Sequence, residues 1–188
     1  MRIFQPPRNS FWPIVPVALV AAALLASCGT TSDLQTTQGA KVAPSHKYSK
    51  VVVQNFKVSV TEHAQEAASS AVLFPDTIAG ELRKEGHFSS VSRGGSADAN
   101  TLVIDGVVTK YDEGSQSKRM WLGMGFGMAF LEATVKFSDS KGNVIGSIKV
   151  DKNSWAMGGG LAAGQNPNSF MNDAADKISE EAAKFALK

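Results

Sequence analysis

The chain has 188 residues, 43% hydrophobic and 19% charged, a composition that fits one globular domain and excludes a disordered or fibrous chain. Of the 19 Lys and Arg, Arg2 and Arg8 precede Cys28, so beyond it 19 − 2 = 17 basic residues face 17 acidic ones. That balance removes the electrostatic basis for binding nucleic acid.

The N-terminus reads as a secretory signal. Arg2 and Arg8 stand before an apolar run from Phe11 to Ala26, and no acid occurs before Asp33. The run is short for a membrane span, and Pro13 and Pro16 interrupt its first half. Leu25-Ala26-Ser27-Cys28 closes it and resembles the lipobox of bacterial lipoproteins, which implies cleavage before Cys28 and its lipidation. A buried structural thiol is the competing reading, but a thiol between an apolar leader and a polar tail has no core to enter. As the chain's one cysteine it has no disulfide partner. Two or more acyl chains hold a protein stably at a bilayer. By resemblance to Gram-negative sorting, Gly29 after the cysteine implies the outer membrane, with the domain facing the periplasm.

Residues 1–27 are thus expected to be a lipoprotein signal peptide, 28–50 a flexible tether rich in Thr, Ser, Gln and Gly, and 51–188 the folded domain. Val51 opens the domain with the β-branched run VVVQNFKVSV, continuous enough to be covered on both faces. A helix is expected over 61–86, restarting near Pro75 and stopping at Gly86. A short strand follows at His87–Val91, then a loop at 94–100. Thr101–Tyr111 predicts a strand with Leu102, Ile104 and Val108 on one face and Val103, Val107 and Tyr111 on the other.

The stretch 118–138, KRMWLGMGFGMAFLEATVKFS, is the most unusual in the chain. If extended, it puts Met120, Leu122, Met124, Phe126, Met128 and Phe130 on one side and Gly123, Gly125, Gly127 and Ala129 on the other. It is expected to be the middle strand of an antiparallel meander, its glycines admitting a close neighbour, the helix over 169–187. The strand Val144–Asp151 completes the meander after a turn at 139–143. A second glycine-rich segment at 153–166 satisfies a loose G-x-G-x-x-A, but it lacks the strand, helix and acid of a dinucleotide site, so no cofactor is expected. The final helix carries Met171, Ala174, Ala175, Ile178, Ala182 and Phe185 on one stripe, with i, i+4 ion pairs outside. The fold class is α+β: a small, mostly antiparallel sheet of about four to five strands packed by two helices, behind a disordered lipidated tether.

The run Gly106, Tyr111, Gly114, Arg119, the Gly123-x-Gly125-x-Gly127-x-Ala129 ladder, an alternating strand, Asp139 and Gly142 resembles the bacterial lipoproteins grouped as domain of unknown function family 4410. That resemblance implies export and brings no catalytic or binding residue with it. The helix after the first strand and the Gly86-x-Phe88-x-x-Val91 junction also look like small α/β modules of periplasmic assembly lipoproteins, an analogy of fold only.

No catalytic constellation can be assembled. Asp112 and Glu113 are adjacent and diverge on a strand, Asp105 reads as a structural ion pair with Arg119, and His46, His63 and His87 lack metal-ligand spacing. The expected function is a non-enzymatic periplasmic binding or assembly module, anchored in the membrane through Cys28, with the Met120–Phe130 face meeting a protein or cell-envelope partner. The alternative is an oligomeric, membrane-inserting or secretion-associated lipoprotein that uses Met120–Phe130 as a tilted transmembrane strand.

Overall fold

The computed structural model describes residues 35–36, 47–115, 117–118, 127–153 and 166–186. Strands β1 (Gln35–Thr36), β2 (Lys50–Val53), β3 (Lys57–Val58), β4 (Ser90–Arg93), β5 (Thr101–Asp112), β6 (Phe130–Ser138) and β7 (Val144–Asn153) form one seven-stranded sheet. Helices α1 (Ala64–Glu85) and α2 (Pro167–Ala183) pack on it. The order is β1-β7-β6-β5-β2-β4, with β3 also on β5.

The fold is α+β as expected, but the sheet is mixed rather than mostly antiparallel. β5, β6 and β7 do form the antiparallel meander. β2, however, runs parallel to both β4 and β5, and β3 runs parallel to β5. Parallel neighbours need a crossover of a dozen or more residues, which the 22 residues of α1 supply between β3 and β4. The continuous run Val51–Val53 fits this position: all three side chains are buried, as for an interior parallel strand.

Pro75 lies inside α1 instead of restarting it. Lacking an N–H, it leaves the Ala71 carbonyl without its i+4 donor. The Phe56 N–H donates to that carbonyl at 3.0 Å, so the helix defect is satisfied by the break between β2 and β3. The same break turns Phe56 into the core, edge-on to Phe74 at 5.4 Å. The short strand after α1 begins at Ser90, later than expected.

α1 lies over the parallel half of the sheet, α2 over β6 and β7, and the helices touch each other. One core results, from Val51, Leu102, Ile104, Leu131, Val135, Phe137, Ile148 and Val150 below to Phe74, Ile78, Phe170 and Ile178 above. Every position of the expected α2 stripe is buried, from Met171 to Phe185. The surface pairs of α2 are Lys177 with Glu180 and Lys184 with Glu181, at i, i+3 rather than i, i+4, and Asp173 instead reaches Lys152 of β7 at 3.4 Å. Asp105 stands opposite Lys136 across β5 and β6; Arg119 is outside the described residues.

The segment expected to be a free tether is attached wherever it is described. β1 pairs with β7, the Tyr48 N–H donates to the Phe185 carbonyl at 2.8 Å, and the Ser49 N–H donates to the Asn100 carbonyl at 3.1 Å.

Candidate functional site

Cys28 and Met120, Leu122, Met124 and Phe126 lie outside the described residues. Met128 and Phe130 are placed, both half-buried. Gly127 has φ +67, so the extended backbone of β6 is interrupted there, and among the described residues β6 begins at Phe130. A Cβ on Gly127 would meet the Ser115 carbonyl oxygen at 2.7 Å and Lys118 Cβ at 2.8 Å. The close neighbour of this glycine is therefore the opposite leg of its own hairpin, not α2. That base is closed by the Ser115 N–H donating to the Gly127 carbonyl at 2.8 Å and the Gly114 N–H donating to Asp112 Oδ1 at 2.7 Å.

Past Gly127 the two faces separate as the alternation requires. Ala129 is fully buried and continues into Leu131, Ala133, Val135 and Phe137 of the core. Phe130 is on the opposite face, away from the helices, with Lys110 Nζ 4.0 Å from its ring centroid. Lys110 also approaches Glu132 Oε1 at 3.4 Å. This outer face carries Asp105, Lys136, Thr134, Glu132 and Lys149 across three strands.

Lys110 reaches that face because β5 bulges. The register against β6 shifts between Val108 and Lys110, so Thr109 is the extra residue and everything after it changes face. Tyr111 is thereby on the core side with Leu102 and Ile104, contrary to the uninterrupted alternation. Burial pushes its phenol up to about 12, helped by the charges of Glu113 and Glu66.

β3 also leaves β5 here, after the Ser59 N–H donates to the Val108 carbonyl at 2.8 Å. The splayed strands open a cleft of about 240 Å³ lined by Ser59–His63 and Thr109–Asp112. His63, the N-cap of α1, is held at φ +54 and gives the helix no side-chain cap. Its Nδ1 is 4.0 Å from Glu66 Oε1. The cleft mixes hydroxyls, carboxylates, an ammonium and an imidazole, and its Tyr111 hydroxyl donates to Glu113 Oε1 at 3.4 Å. Among the described residues no three His, Cys, Asp or Glu come together to hold a metal, and no helix is long and apolar enough to cross a membrane. Sequence reasoning missed this cleft because a bulge at a threonine has no compositional signature.

The family described as Domain of unknown function (DUF4410) matches residues 33–158. No curated protein matches the chain. Among solved structures, the PelC dodecamer from Paraburkholderia phytofirmans is similar at a TM-score of 0.54 and 17% identity, covering 84% of this chain and 99% of that one. A point variant of that dodecamer gives 0.52 and 18%, with the same coverage. A minor lipoprotein from Acinetobacter baumannii is more distant, at a TM-score of 0.34 and 14% identity over 72% of this chain and 93% of that one.

Proposed function

The chain belongs to the DUF4410 family, and we propose that it is an outer-membrane lipoprotein, facing the periplasm and held by acyl chains on Cys28, that acts as a non-enzymatic binding or assembly module. One observation carries the reading: the chain's only cysteine stands at the foot of its one long apolar run, in Leu25-Ala26-Ser27-Cys28. Gly29 supports the outer rather than the inner membrane. The partner surface in this reading is the Met120–Phe130 face, whose last residue, Phe130, holds its ring beneath the Lys110 ammonium. Cys28→Ser should move the protein from the membrane fraction to the soluble periplasm; a variant still in the membrane pellet after carbonate washing would sink the anchor.

A second reading is favoured by one comparison. The similar PelC fold is a dodecamer and is matched over 99% of its length, which supports a ring-forming role in which Met120–Phe130 contributes to the assembly. Native mass spectrometry of the chain lacking residues 1–28 tests it directly. A single monomer peak at every concentration would remove this reading and leave the first intact.

A further inference from the structure

On the side away from β6, β5 is paired by two short strands in turn, and neither covers its last residues. β2 takes Thr101 to Ile104 and β3 takes Val107 and Val108, while β5 runs on to Asp112. The core-facing residues of β5 turn their main chain to this side: the Ile104 carbonyl accepts from the Gln54 N–H and the Val108 carbonyl from the Ser59 N–H, both at 2.8 Å. Side-chain face and hydrogen-bonding direction alternate together along a strand. Tyr111, which the bulge returns to the core face, therefore aims its N–H and C=O into the cleft and away from Leu131 of β6. No described residue across the cleft bonds to either group. The opposite wall, residues 59–63, belongs to no strand or helix. At about 240 Å³ the gap is below the roughly 300 Å³ at which pockets for drug-sized ligands begin, and its form is that of a missing piece of strand.

Charge narrows the occupant. Glu62 and Asp112 line the cleft, and the charges of Glu66 and Glu113 act on the Tyr111 phenol beside it. Of the two basic side chains on the lining, Lys110 has its ammonium 4.0 Å from the Phe130 ring centroid on the other face of the sheet, and His63 Nδ1 stands 4.0 Å from Glu66 Oε1. We propose that this cleft is a peptide-binding site, in which an extended segment of a partner protein adds to β5 at Tyr111 and sets a lysine or arginine side chain against Glu62 and Asp112. The site is separate from the Met120–Phe130 surface and needs neither the lipid anchor nor a ring.

The test uses the full chain in detergent micelles, read by amide-resolved NMR. In the free chain the Tyr111 N–H should exchange with solvent at least about tenfold faster than that of Val107, which is paired with Thr134. Equal protection would mean that the chain's own residues already fill the edge, and would overturn the site. The probe is the capped tetrapeptide valine-lysine-valine-threonine, which should shift the Tyr111 amide, protect it, and saturate near about 1 mM, the range of a contact this small. The same peptide with glutamate in place of lysine should bind about tenfold more weakly. Methylating the main-chain nitrogens of the two valines in one peptide, and of the lysine and threonine in another, should abolish binding in at least one of the pair. Unchanged binding of both, or butylamine binding as well as the lysine peptide, would reduce the site to an amine contact and overturn strand addition. Glu62→Gln with Asp112→Asn should make the lysine and glutamate peptides equal, and Asn keeps an oxygen for the Gly114 N–H. A lysine preference that survives both changes overturns the role of the two acids, and no saturable shift with any peptide overturns the whole proposal.

Discussion

A methyl group on Gly106 would sit 2.8 Å from Cε2 of Phe56, and one on Gly146 would sit 3.3 Å from Cζ of Phe185. Among the described glycines these are the two that a core aromatic ring approaches, and neither belongs to the 123–127 ladder. The ladder draws attention in the sequence because it is periodic; Gly106 is one glycine in an ordinary strand, and only the break that turns Phe56 inward gives it a reason. Gly106→Ala should push Phe56 off its edge-on contact with Phe74 and cost about 1–3 kcal/mol by thermal unfolding. Phe56→Leu in the same chain should recover part of that loss, and two strictly additive costs would mean that the ring is not the obstacle. Asp98 gives a second expectation at this scale. Hydrogen bonds from Lys50, Thr101 and the Asn100 N–H hold its carboxyl at about 2, below its ordinary 3.8. A depressed carboxyl stabilises the folded state above the unfolded value and loses that contribution as pH falls through the folded one. The gap in melting temperature between the wild type and Asp98→Asn should therefore be constant at pH 5 and above and should close between about pH 4 and pH 2.

The elements differ in how far they could be read ahead of the structure. The meander was legible because Leu131, Ala133, Val135 and Phe137 alternate with polar residues and the short turn 139–143 joins β6 to β7. α2 was legible because its apolar stripe keeps helical spacing throughout. The parallel pairing was not, since Val51–Val53 has the same composition whichever neighbour it takes, and the bulge at Thr109 reverses two faces without changing any residue type. Of the candidate site, the sequence correctly separates Phe130 from Ala129 onto opposite faces, yet it gives no sign of the turn at Gly127 or of the cleft beside His63. The β4 edge shows another feature that composition hides. Arg93 donates from Nε to Asp76 at 2.6 Å, from Nη1 to the Val53 carbonyl at 2.5 Å and from Nη2 to Asn55 at 2.7 Å, joining β4, the β2–β3 break and α1. Arg83 meanwhile donates to the Val91 carbonyl at 3.3 Å. Arg93→Ala should lower stability by about 1–3 kcal/mol in urea titrations, chiefly by loosening β4. Arg93→Lys should recover only a minor share, because the three donors of an ammonium leave one nitrogen and cannot span the separate acceptors that Nε, Nη1 and Nη2 of a planar guanidinium reach; full recovery would reduce the role of Arg93 to its charge.

For the whole molecule, charge balance bears on how it would meet a membrane. With 17 basic and 17 acidic residues beyond Cys28, that part of the chain has no net charge to draw it to anionic lipid, and on the outer face opposite charges stand across from one another, as Asp105 does to Lys136. A basic side chain near an anionic leaflet contributes about 1 kcal/mol, but an equal number of acids on the same domain offsets it. Acyl chains, on the proposed anchor at Cys28, would contribute about 0.8 kcal/mol for each buried methylene. The chain lacking residues 1–28 should consequently stay in the supernatant when sedimented with vesicles, equally for neutral and anionic lipid and with little change between low and high salt. Binding confined to anionic vesicles and lost in salt would reveal a basic patch outside the described residues. Salt-resistant binding accompanied by dye leakage would instead show that the segment around Met120–Phe126 enters the bilayer by itself, and would move the membrane-inserting role ahead of the periplasmic module.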